Sequence, residues 1–116
     1  MATLTEDRDT TTGRLTNLVE SGTLAGVGQT PWLPLQGTGE HVFTADVTDL
    51  GAAAGTFIVE ARRTYKEGAA TGDTKTIFSS TVVADFPQIG RLSGWWEVRL
   101  RCSAYSGGSF NLAVSQ

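Results

Sequence analysis

The chain has 116 residues, a formal net charge of −3, a pI near 5.0 and one cysteine, Cys102. That acidity argues against a general nucleic-acid binder, which needs a concentrated basic face. A lone cysteine excludes an intramolecular disulfide, and no apolar run approaches the ~18 residues of a membrane span.

Residues 1–30 contain no aromatic side chain and only scattered Leu and Val, so they cannot build a core of their own. Acids Glu6, Asp7, Asp9 and Glu20 outnumber bases Arg8 and Arg14 there. The stretch reads as an N-terminal arm, extended or partly disordered, with Leu15, Leu18 and Val19 as its candidate contact residues. Residues 31–116 read as a separate β-sandwich domain. Two prolines in QTPWLPLQGTG (residues 29–39) forbid a helix and favour an extended path. Trp32 in that path either caps one end of the core or stands exposed as an anchor.

Residues 41–48 (HVFTADVT) set Phe43, Ala45 and Val47 against Val42, Thr44 and Asp46, the alternation of a half-buried strand. A glycine-flanked loop is expected over residues 49–55. Residues 56–66 (TFIVEARRTYK) then alternate Phe57, Val59 and Ala61 against Glu60, Arg62 and Thr64. The Gly-rich residues 67–73 predict a turn and residues 74–80 a strand around Ile77 and Phe78. The chain is expected to continue extended through residue 86, until Pro87 and Gly90 end that run.

In the closing stretch, GWWEVRLRCSAYSGGSFNLAVSQ, one face carries Trp96, Val98, Leu100, Cys102 and Ala104. Phe110, Leu112 and Val114 resume the pattern after Ser-Gly-Gly-Ser. This predicts a β-hairpin with an odd-length loop, since only an odd loop sets apolar positions opposite one another. Together with 17 threonines, 14 glycines and one methionine, the pattern predicts an all-β fold, an antiparallel β-sandwich or small barrel with an extended N-terminal arm.

The residues supply no catalytic constellation. His41 is the sole histidine, expected at the surface, and no serine sits in a nucleophile elbow. One Cys and one His cannot furnish a zinc site, and the spacing of Asp46, Asp49 and Asp73 matches no EF-hand. No enzyme activity, metal or cofactor is expected. Arg62, Arg63, Lys66, Arg99 and Arg101, interspersed with Glu60 and Glu97, read as a solvated face paired across strands. Trp95 and Tyr105 share the outward alternation with Arg99 and Arg101, so Trp32, Trp95, Arg99, Arg101 and Tyr105 form the candidate interface or ligand face.

Three runs, GQTPWLPLQGTGEHVF, GTFIVEARRTYKEG and GWWEVRLRCSAYSGGSFNLAVSQ, resemble small structural proteins encoded by tailed bacteriophages and prophages. Residues 55–62 resemble the phrase G-T-F-aliphatic-V-E/Q-R-S. Residues 99–116 resemble the closing R-L-R/G-C-x-A-Y-S/T-x-G-x-aromatic-x-L-x-S-Q. The likeness covers about the last two thirds of the chain. It departs at EGAATGDTKTIF, where the family often has a shorter turn leading to a Trp, which leaves the strand order around residues 67–80 open. The resemblance implies a non-catalytic virion component made in the host cytoplasm, a capsid decoration or cement protein and a homo-oligomer, with a trimer favoured. Its implied partners are the major capsid protein or other virion proteins, with no nucleic acid and no membrane. The alternative is a tail- or fibre-associated carbohydrate- or receptor-binding module that stacks sugars on Trp95, Tyr105 and Trp32.

Overall fold

A computed structural model describes residues 7–8, 15–66, 69–70 and 72–116, with side chains for residues 17–64 and 72–116. The described chain is nearly all antiparallel β-structure, with one 3-10 turn at Val83–Asp85. The strands are β1 (Asp7–Arg8), β2 (Leu15–Thr16), β3 (Leu18–Leu24), β4 (Gly28–Gln29), β5 (Leu33–Leu35), β6 (Glu40–Lys66), β7 (Ala69–Ala70), β8 (Lys75–Ser80), β9 (Gln88–Ser93) and β10 (Trp96–Ser115). β1 and β2 pair only with each other.

Two long strands organise everything else. β6 and β10 pair antiparallel along almost their whole length, from Trp96 opposite Arg63 to Ser115 opposite Thr44. Shorter strands line their outer edges. β3 pairs with the C-terminal part of β10, while β4 and β5 pair with its N-terminal part. On the far side, β9 pairs with the first part of β6 and β8 with its second part. The result is one four-strand-wide sheet folded over on itself. Its first layer runs β9, β6, β10, β3, and its second runs β8, β6, β10, then β4 and β5.

The fold line crosses β6 and β10 where their register shifts, between Cys102 and Phe110 of β10. Ala52 adopts a left-handed φ of 53°, a conformation that costs a non-glycine residue about 1–2 kcal/mol. Two features hold it there. Asp49 Oδ1 accepts hydrogen bonds from the amides of Gly51 and Ala53 at 2.9 and 3.1 Å. Gly108, itself at φ 79°, leaves room for the Ala52 carbonyl where any side chain would collide with it.

Alternation through both layers points one set of side chains inward. Phe43, Ala45, Val47, Phe57, Val59 and Ala61 of β6 meet Val98, Leu100, Cys102, Phe110, Leu112 and Val114 of β10 in a single core, which Leu33, Leu35 and Phe86 complete. Phe57 joins the layers by edge-to-face contacts with Phe110 at 5.2 Å and Phe86 at 6.1 Å. Each buried aromatic of this kind contributes roughly 1.5–3 kcal/mol of burial free energy.

Several expectations change. The closing hairpin is not formed: residues 96–115 are one continuous strand that bends from one layer into the other. An odd-length loop and a bend that conserves the inward face leave the same parity in the sequence, so the alternation fits both. Ala104, expected inward, is exposed because the register shifts between Cys102 and Ala104. Residues 49–55, expected as a loop, stay within β6, and residues 83–85 turn in a 3-10 conformation instead of continuing extended.

Residues 18–24 and 28–29, placed in the arm by sequence, pair with β10 of the same chain. Val19 and Leu24 pack against the core, although five positions separate them. A β-bulge brings them to one face. Gly22 takes a φ of 77°, the register with β10 shifts between Asn111 and Ala113, and Ser21 Oγ accepts the Leu112 amide at 3.0 Å. Leu18 is half exposed, and the side chain of Leu15 lies outside the described residues.

Candidate functional site

The outer face of the second layer gathers most of the charge. Outward positions of β6 present Glu60 and Arg62, and those of β10 present Glu97, Arg99 and Arg101, with Glu60 opposite Arg99 and Arg62 opposite Glu97. Arg62 Nε donates to Glu97 Oε1 at 2.8 Å. Arg99 Nε donates to Glu60 Oε1 at 2.9 Å. Arg101 engages both Glu60 oxygens, at 3.0 and 2.9 Å. The two glutamates are buried among these guanidinium groups, whereas the arginines remain partly exposed.

Trp32 completes this ladder from the segment leading into β5. Its ring lies 4.1 Å from the Arg62 guanidinium carbon and 4.4 Å from that of Arg99. Each such cation–π contact contributes about 0.5–2 kcal/mol, more as water is excluded. Below it, Thr30 fixes the segment to the sheet: its amide donates to the Leu100 carbonyl at 3.0 Å and its hydroxyl accepts the Leu100 amide at 3.2 Å.

Burial would raise the Glu60 pKa, but the hydrogen bonds and charges of Arg101 and Arg99 outweigh it and hold the carboxyl below the ordinary range. The Arg101 pKa rises, chiefly through its hydrogen bond to Glu60. Removing one partner of such a pair costs more than the intact pair contributes, because the other charge is left partly desolvated.

Trp32, Arg99 and Arg101 therefore come together as the sequence grouped them, whereas Tyr105 stands apart at the fold line. Trp95 precedes β10 and its carbonyl accepts the Thr64 amide. Tyr105 lies at the fold line, where its hydroxyl donates to the Gly108 carbonyl at 2.8 Å and its ring leans on Phe110. Glu60, Arg62 and Glu97, which the sequence offered only as a solvated paired face, are the centre of the cluster. Their burial follows from the indole and guanidinium groups stacked over them.

The other outer face differs in kind. One row across the first layer runs Ile89, Thr44, Ser115, Leu18, with Val42 beside it on β6. Ile89 is 66 % exposed, Leu18 49 % and Val42 43 %. Arg91, opposite Val42, pairs with Glu40 at 3.6 Å on the same face, and Glu20 and Asp46 flank Ala113.

His41, expected at the surface, is buried, because it occupies an inward position two residues before Phe43. Its Nε2 donates to the Gly37 carbonyl at 3.4 Å, and its Nδ1 accepts the Gln116 side-chain amide at 3.1 Å. The Cys102 thiol is buried, which pushes its pKa up, and it donates to the Ala104 carbonyl. Among the described residues no group of three or more His, Cys, Asp or Glu is placed to hold a metal ion. No helix among the described residues is long and apolar enough to cross a membrane. No family model matches the chain, and no curated protein matches it.

Proposed function

We propose that this chain is a non-enzymatic structural protein of a tailed-phage virion, a capsid decoration or cement protein that stabilises the head through multivalent contacts as a homotrimer. The observation that carries it is the resemblance of residues 55–62 and 99–116 to such proteins, and support comes from where those residues lie. Residues 55–60 pair with residues 99–105 as the central strands of the second layer, with Phe57 opposite Cys102 and Val59 opposite Leu100. The exposed Ile89, Val42 and Leu18 supply a second, independent support: aliphatic side chains set among the charges of Glu40 and Arg91, suited to weak contacts that add up when many copies sit on one particle. The charges of the opposite face are already satisfied within the chain.

The test is binding to heads of the phage that encodes the chain, after those heads have been stripped of it. Wild-type protein should restore occupancy in multiples of three copies per site. Ile89→Asp combined with Val42→Asp should fold but lose occupancy. Deleting residues 1–16, upstream of β3, tests the arm without removing a strand of the sandwich. Mature heads that never carry the chain, or its location in the tail, would overturn the assignment.

A further inference from the structure

Between β5 and the start of β3 lies an open groove of about 500 Å³, within the usual range for small-molecule sites. Leu18, Trp32 and Pro34 contribute apolar surface, and Asn17, Gln36 and Gln116 contribute amides. None of the lining side chains is charged. We infer that this groove binds a neutral oligosaccharide.

The lining chemistry selects that class. An amide carries donors and an acceptor in one plane, which suits the adjacent hydroxyls of a sugar, each both donor and acceptor. Indole and proline rings suit the C–H surfaces between those hydroxyls. The nearby Arg62 and Arg99 are already paired with Glu97 and Glu60, so a charged ligand would find no unpaired countercharge and would lose hydration with little compensation.

The site is also held in place before a ligand arrives. Arg62 and Arg99 restrain Trp32, and His41 restrains the Gln116 amide while the Gln116 backbone donates to the Asn17 carbonyl at 2.9 Å. Ordering these side chains in advance lowers the entropy lost on binding. This site shares Leu18 with the surface proposed for head binding, but neither role requires the other.

The experiment is a nuclear magnetic resonance titration of the full ¹⁵N-labelled chain with maltohexaose, cellohexaose and mannohexaose, each to about 20 mM, since millimolar affinity is ordinary for a shallow site. At least one sugar should give saturable shifts centred on the Trp32 indole N–H and the side-chain amides of Asn17, Gln36 and Gln116. Trp32→Leu should weaken that binding about tenfold, while Trp95→Leu leaves it unchanged. If Trp32→Leu fails to fold, Gln36→Ala takes its place in the same titration. No response to any of the three sugars, shifts centred elsewhere, or an equal response to an anionic heparin hexasaccharide would overturn the inference.

Discussion

Gly90 of β9 sits directly opposite Phe43 of β6, and the phenyl ring covers the space where a side chain would begin. A Cβ built on Gly90 would lie 2.7 and 2.8 Å from the two Cε atoms of Phe43 and closer still to Cζ. Phe43 is 1 % exposed and packed into the core, so its ring has little freedom to move aside. A space of about 30 Å³ beside it, bordered by Val59, Phe78 and Ile89, admits a small shift but not reorientation of a phenyl ring. Two effects of Gly90→Ala then oppose one another. Relief of glycine's backbone entropy favours alanine by about 0.5–1 kcal/mol, and overpacking a filled core costs about 1–3 kcal/mol. The net expectation is destabilisation by about 0.5–2 kcal/mol, or a fall in Tm of about 3–12 °C for a domain of this size. Urea and thermal unfolding of the variant measure it, and a Phe43→Leu background isolates the cause. There Gly90→Ala should become neutral or stabilising, giving a coupling of at least about 0.5 kcal/mol between the two sites. A Gly90→Ala protein as stable as wild type, or an equal penalty in both backgrounds, would refute the reasoning.

Glu60→Gln should destabilise at pH 7 by about 1–3 kcal/mol, since it leaves Arg99 and Arg101 without their countercharge. Because the folded carboxyl titrates below its unfolded value of about 4.3, its contribution is present above that pH and lost as pH falls through the folded pKa. Stability of Glu60→Gln measured against pH should therefore decline less steeply than wild type in the acid range, and parallel curves would count against the coupling. Ser21→Ala should cost about 1–2 kcal/mol and speed hydrogen exchange at the Leu112 amide, whose partner at the β3 bulge it removes. Unchanged exchange there would mean that β3 does not hold β10 as described.

Much of the core was legible in the residues. The alternations at Phe43, Ala45 and Val47, at Phe57, Val59 and Ala61, and at Val98, Leu100 and Cys102 all point inward, because a two-residue period survives wherever a strand stays regular. Irregularity hid the rest. The bulge at Ser21 and Gly22 shifts the phase, so Val19 and Leu24 do not look like neighbours on one face. The glycines of residues 107–108 signal a change of direction without saying whether the chain doubles back or bends. The company of Trp32 could not be read locally, since Arg62 and Arg99 reach it from strands remote in sequence. His41 shows a different limit: its inward position follows the alternation, but its acceptability there depends on Gly37 and Gln116 as partners.

Because β6 and β10 pass through both layers without a break, the sandwich has no seam along which one layer could open while the other stays closed. Opening either layer would require the same two strands to part from each other and from their neighbours. Amides in the centres of both layers, such as those of Val59 and Val47, should therefore exchange with solvent through one shared global event, so that the molecule behaves as a single cooperative unit.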